Sequence, residues 1–168
     1  MLNFSGALGA VATVLVATGV LVTPARAVAQ RQVIDNDLSR CAPSAGPAVL
    51  VDVSGFKGAT GKIRVQAYPA TRSAWLESGA WIDRIDVPVQ ASNGRMKFCL
   101  PLPAPGRYGI AVRHDRNGNG KTDLREDGGG FSNNPKASIF NLGKPSVDKA
   151  AITVGNAPTS ISITLQYF

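Results

Sequence analysis

From residue 47 onward, apolar side chains recur at every second position in short runs, and each run is cut off by Gly, Pro or Asn. A period of two puts alternate side chains on opposite faces of an extended strand, whereas a helix needs a period near 3.6 held over ten residues or more. No stretch here holds the helical period, which excludes a helical bundle. In Lys62–Tyr68, Ile63, Val65 and Ala67 fall on one face and Lys62, Arg64 and Gln66 on the other. Ala48–Val53, Arg84–Val89, Arg95–Leu100, 106–114, Lys149–Val154 and Ser160–Tyr167 also read as strands, with a short segment at Ser138–Asn141. Tyr108, Ile110 and Val112 share a face, as do Ile161, Ile163, Leu165 and Tyr167. Residues 71–82 leave room for a short helix or an irregular crossover anchored by Trp75, Leu76 and Trp81. Asn93-Gly94 lies between alternating runs and is a hairpin signal, so Arg84–Val89 is expected to pair with Arg95–Leu100. About seven short strands separated by turn residues predict an all-β, antiparallel sandwich over 47–168.

The first 29 residues have a different character. Ala7 to Val22 is apolar or small throughout, and Ala25-Arg26-Ala27-Val28-Ala29 offers two small-x-small cleavage patterns. This reads as an export signal peptide, although its start lacks Lys and Arg. An uncleaved membrane anchor is the alternative, with an apolar run short for a span. The first reading places the protein in the periplasm or on the cell surface, with no stable span after signal removal. Residues 30–46 are polar, then rich in Ala, Pro, Ser and Gly, and read as an extended leader.

The leader carries Cys41, and the other cysteine, Cys99, lies in the run Met96–Leu100. Two cysteines in an exported chain read as one disulfide. Such a long loop is stabilised by roughly 3–4 kcal/mol on the chain-entropy account. The net charge is +7, and loss of Arg26 with the signal leaves 17 Lys and Arg against 11 Asp and Glu, or +6. The basic residues are scattered singly, without aromatic interleaving, so nucleic acid is not an expected partner. An anionic glycan or another envelope component remains the expected class of partner.

The stretch with chemistry beyond folding is His114–Asn134. From Asp115 the spacing is D-x-N-x-N-G-x-x-D-x-x-E, the twelve-position pattern of a calcium loop. Calcium takes six to eight oxygens, here from Asp115, Asn117, Asn119, the Lys121 carbonyl, Asp123 and Glu126. The expected affinity is weak, on the order of 0.1–1 mM. Against this, Asn-Gly-Asn-Gly is a turn sequence in its own right, and Arg116, Lys121 and Arg125 weaken cation binding. The flanks are not the helices of a calcium sensor: a strand precedes the loop, and Gly128-Gly129-Gly130 follows it.

Catalysis is not expected. His114 is the only histidine, no nucleophile elbow is present, and the acids cluster in one loop instead of facing each other across a cleft. His114 either packs at the strand end or contacts a ligand. Phe131 either plugs the loop into the core or offers a stacking surface. Ser132, Asn133 and Asn134 either pin the loop or recognise a ligand beside it.

The order GRYGIAV-x-HD-x-NGNGK-x-D, followed by GFSNN at 130–134, resembles the bacterial family named domain of unknown function 2141 (DUF2141). The similarity runs from residue 46 to residue 168. Members often carry a Pro and an acidic-Gly-aromatic segment before GFSNN, where this chain has Glu126-Asp127-Gly128-Gly129-Gly130 instead. The resemblance implies a small immunoglobulin-like or prealbumin-like sandwich and export, and no particular activity. Two functions follow as expectations: an exported, non-catalytic envelope module with a calcium-binding-like loop, or a glycan- or small-ligand-binding protein that uses the same loop as its mouth.

Overall fold

A computed structural model describes residues 32–136 and 143–168. The expected signal peptide and the Ser138–Asn141 segment lie outside the described residues. The remaining chain is nearly all β. In order come β1 (Gln32–Val33), a single 3-10 turn (Leu38–Cys41), β2 (Ala48–Ser54), β3 (Lys62–Pro69), β4 (Asp83–Pro88) and β5 (Arg95–Pro101). Then follow β6 (Gly106–Asp115), β7 (Gly128–Phe131), the one-turn helix α1 (Val147–Ala150), β8 (Ala151–Val154) and β9 (Thr159–Thr164).

The strands form two sheets. The larger runs β1-β4-β3-β6-β7, with β8 also on β6, and the smaller runs β5-β2-β9. Alternation decides what lies between them. Val49, Val51 and Val53 of β2, Phe98 and Leu100 of β5, Ile63 and Val65 of β3, and Ile110 of β6 are completely or almost completely buried in one core. Fully burying such a side chain stabilises by roughly 1.5–3 kcal/mol.

The sheets are mixed, not purely antiparallel. β2 runs parallel to β9, with Val51 opposite Ile161 and Val53 opposite Ile163, and β1 runs parallel to β4. Alternation specifies which face a side chain occupies, and strand direction leaves no mark on it. A second correction concerns the Asn-Gly turn. The turn itself forms: Asn93 and Gly94 have φ of 50° and 71°, and Ser92 and Arg95 exchange both backbone bonds at 3.0 Å. The strands beside it do not pair. β4 pairs with β3, whereas β5 crosses to the other sheet and pairs with β2 over seven residues. Each strand thereby keeps its apolar face on the shared core, β4 in the larger sheet and β5 in the smaller.

One further element departs from expectation, and two settle what the sequence left open. Lys149 belongs to α1, and the strand starts only at Ala151. Residues 71–82 form turns without a helix, and Trp75 is buried with its indole N–H donating to the Pro145 carbonyl at 2.9 Å. The leader is not free-standing. β1 lies on the edge of β4, and the Asn36 amide donates to Lys97 O at 2.9 Å and accepts from Cys99 N–H at 3.1 Å on β5. Cys41 and Cys99 form the expected disulfide.

Trp75, Tyr68, Ala111, Val147 and Ala150 make a second, smaller core on the outer face of the six-stranded sheet. It covers one end of that face and leaves the middle open. Asp83, at the start of β4, is 8 % exposed, and burial pushes its carboxyl up from 3.8.

Two outcomes follow. Replacing both Cys41 and Cys99 with Ser should lower unfolding stability by about 4 kcal/mol, read by chemical denaturation. A carboxyl whose folded pKa is raised stabilises below its unfolded value and loses that contribution as pH rises through the folded one. Asp83→Asn should therefore melt higher than wild type at neutral pH, with the difference vanishing below 3.8.

Candidate functional site

β6 ends in His114-Asp115, and the pleat sends these two side chains to opposite faces. His114 is completely buried on the core side. Its Nε2 lies 2.8 Å from the Thr60 carbonyl and its Nδ1 2.7 Å from the Tyr167 hydroxyl. A carbonyl only accepts, so Nε2 carries the proton and Nδ1 accepts from the phenol. The phenolic oxygen accepts the Lys57 N–H at 3.0 Å, and burial pushes the Tyr167 phenol up from 10.0. Both ring nitrogens are thus occupied inside the protein, and His114 is not placed to contact a ligand.

Asp115 faces outward but is only 3 % exposed. Its Oδ2 accepts the Gly120 N–H at 2.8 Å, which closes the turn, and the Arg113 guanidinium lies 3.5 Å away. Its Oδ1 is buried without a hydrogen-bond partner. Gly120 has φ of 79°, where a residue with a side chain would be strained. Asn117 Oδ1 accepts from Asn119 N–H at 3.1 Å, and Asn119 Oδ1 from Lys121 N–H at 2.7 Å. These are successive Asx turns. The amide nitrogens of Asn117 and Asn119 reach Asp123 Oδ2 at 3.1 and 2.7 Å, and Asn117 also reaches Glu126 Oε2 at 3.1 Å. The Asn117 donor, then that of Asn119, holds the Asp123 carboxyl below its usual 3.8.

Of the six expected calcium ligands, Asn117, Asn119, Asp123 and Glu126 thus share one side-chain network. Asp115 sits at the base of the turn, and Lys121 joins through its backbone N–H. Among the described residues, no three Asp, Glu, His or Cys side chains converge on a single point. The donors present are nonetheless all oxygens, and the buried, unpartnered Asp115 Oδ1 is the atom type a hard cation takes.

Two residues that the calcium-loop spacing does not mark also hold this loop. Asp127 is 5 % exposed, and its carboxylate accepts Arg116 N–H at 3.2 Å and Asp123 N–H at 3.0 Å. It clamps the loop's beginning to its end. Nothing in the spacing separated it from the acids before it. Arg113, from the outer face of β6, donates to Thr122 Oγ1 at 3.0 Å and to Gly120 O at 3.2 Å. Burial, then the neighbouring Arg64, pushes its guanidinium below its usual value.

After the loop comes the unexpected strand β7, made almost entirely of glycine. A Cβ on Gly128 would lie 2.5 Å from the Tyr167 ring, and one on Gly130 2.6 Å from Ile163. Glycine in a strand here marks close approach of another layer. Phe131 packs edge-on against Trp75, with ring centroids 5.9 Å apart, and is half-buried. Ser132 is fully buried: its Oγ accepts Ile110 N–H at 3.0 Å and donates to the Ala150 carbonyl. Asn133 donates to Ala151 O at 2.9 Å, and Asn134 pairs with Ser162 O and Thr164 N–H on β9 at 2.9 and 2.8 Å. Asn133 and Asn134 have φ of 64° and 46°, which Asn tolerates better than most residues. All three polar side chains of this stretch pin backbone.

The family model described as "Uncharacterized protein conserved in bacteria (DUF2141)" matches residues 51–162. The chain belongs to the DUF2141 family. The matched span runs from β2 into β9 and includes both the 115–127 loop and the pinned GFSNN stretch. No curated protein and no solved structure matches the chain.

Asp127→Ala removes the acceptor for two backbone donors and should cost about 2–3 kcal/mol. Hydrogen exchange should speed up at Arg116 and Asp123, while the Ile63 and Val65 amides keep their protection.

Proposed function

We propose that this DUF2141 chain is an exported, non-catalytic β-sandwich module of the cell envelope whose 115–127 loop binds calcium weakly. One observation carries the cation reading: a buried carboxylate oxygen, Asp115 Oδ1, lies without a partner at the first position of a complete calcium-loop spacing. A cation would take oxygens from Asp115, Asp123, Glu126 and the loop's amide and backbone carbonyls. The bonds from Asn117 and Asn119 to the two carboxylates would give way to it. Positive charge at Arg113, Arg116, Lys121 and Arg125 keeps the affinity low.

Export is supported by the disulfide, since such bonds persist in oxidising compartments. Among the described residues, no helix is long and apolar enough to cross a membrane. The non-catalytic reading is supported by His114, whose two nitrogens are both engaged in the core.

Calorimetric titration of calcium into the chelator-treated protein tests the loop. Saturable binding with a Kd on the order of 0.1–1 mM is expected, together with a rise in melting temperature. Glu126→Ala, at an exposed position, should abolish both without unfolding the sandwich, and Asp115→Ala should do the same. Absence of heat and of any melting shift up to about 10 mM calcium would leave the stretch a plain turn.

A further inference from the structure

The middle of the outer face of the six-stranded sheet holds a hollow of about 270 Å³. This lies just below the roughly 300–1,000 Å³ typical of small-molecule sites. Its floor is Arg64, Gln66 and Tyr68 of β3, Ala111 and Arg113 of β6, and Gly129 of β7; Phe131, Leu76, Leu124 and Phe168 wall it. Toward the 115–127 loop it shares Arg64 and Arg113 with a second hollow lined by Lys62, Arg84, Asp86 and Asp115.

Three features around this hollow bear on what it could hold. The first is Gly129. Its neighbours are excluded from being anything else by Tyr167 and Ile163, but a Cβ on Gly129 meets nothing within 4 Å, and its φ is not left-handed. A strand gains from a side chain at such a position. What a side chain there would do is fill the hollow. The second is Leu76, whose φ of 60° is strained for a branched apolar residue, and which presents itself to the same space. Strain of this kind collects at binding sites. The third is charge. Arg64 stands directly opposite Arg113 on adjacent strands, an arrangement of like charges that destabilises a sheet. Arg64 and Arg84 both lean on the single carboxylate of Asp86. Across the two hollows Lys62, Arg64, Arg84, Arg113 and Lys144 face Asp86, Asp115 and Asp127, five cations to three carboxylates. Leu124 and Phe168, two of the four exposed large apolar side chains among the described residues, lie on the wall.

We infer that this hollow is a binding site for a compact organic anion. Its apolar or aromatic body lies against Tyr68, Phe131 and Leu76 over Gly129, and its acidic group meets Arg64 and Arg113. The open glycine sets the space, the aromatic walls take the body, and the opposed guanidinium pair is relieved when the anion arrives. The site does not require calcium in the loop.

The test uses anilinonaphthalene sulfonate, an aromatic body with one anionic group, and its uncharged counterpart N-phenylnaphthylamine. Both are titrated into the purified protein by fluorescence, with calcium and with chelator. The sulfonate should bind saturably, one to one, in both conditions, and the uncharged probe at least about tenfold more weakly. Arg64→Gln, which leaves Arg84 to satisfy Asp86, should weaken the sulfonate by about tenfold. Gly129→Leu should abolish binding while melting no lower than wild type, because its Cβ enters open space and its branch occupies the hollow. Lys97→Gln, on the other sheet, should bind as wild type does. Absence of saturable binding, equal binding of the two probes, or undiminished binding by Gly129→Leu would overturn the proposal. Loss of binding only with chelator would overturn its independence of the loop.

Discussion

The pleat of β6 is the constraint on which the rest of this protein hangs. β6 is ten residues long, and β3 pairs with eight of them, from Tyr108 to Asp115. Its other edge is shared, with β8 opposite Gly106–Gly109 and β7 opposite Ala111–His114. Because successive side chains alternate, one strand serves two environments. Tyr108, Ile110, Val112 and His114 enter the main core, while Ala111, Arg113 and Asp115 form the outer face. A slip of one residue would exchange the two sets, turning Arg113 and Asp115 into the apolar core and Ile110 and His114 out of it. The register is therefore strongly specified. With it come the anchoring of the loop at Asp115, the position of the guanidinium pair, and the hollow over Gly129.

The three-stranded sheet raises a different problem, since both its outer strands have an open edge. Unpaired strand edges recruit other chains. Here each is closed in part by an asparagine. Asn36 binds the carbonyl of Lys97 and the N–H of Cys99 on β5, and Asn134 does the same with Ser162 and Thr164 on β9. In each case a side-chain amide stands in for one rung of a peptide ladder, offering one donor and one acceptor to backbone groups two residues apart. The disulfide reinforces the first closure. Beyond β9, Gln166 bridges to Gly129 and ties the small sheet to the large one. The GFSNN stretch is accordingly a joint: its glycine lets the layers approach, its phenylalanine joins the second core, and its polar side chains hold three separate segments.

Much of the fold was legible in the pattern of residues. The alternation in Lys62–Tyr68 and in the 106–114 run named the buried faces correctly, and Asn93-Gly94 named its turn. What alternation did not carry was pairing. Arg84–Val89 and Arg95–Leu100 are linked by a hairpin turn and yet part to different sheets, because a local turn does not specify which strand each will meet. β7 was invisible for a related reason: three glycines have poor strand propensity, and their place in a strand depends on Tyr167 and Ile163, far along the chain. In the loop, the turn chemistry of Asn117, Asn119 and Gly120 was readable from local spacing. The clamp by Asp127 and the reach of Arg113 were not, since both depend on where the strand ends direct them.

By itself, then, the sequence determined the all-β character, the inward faces of the strands, the disulfide and the oxygen-rich turn. Each follows from spacing within a few residues or, for the disulfide, from there being two cysteines. Tertiary structure alone decided strand direction, the partition into two sheets, the burial of His114 and the space above Gly129. Those features depend on segments far apart in the chain meeting at fixed distances. Local periodicity states which way a side chain points and is silent on what stands opposite.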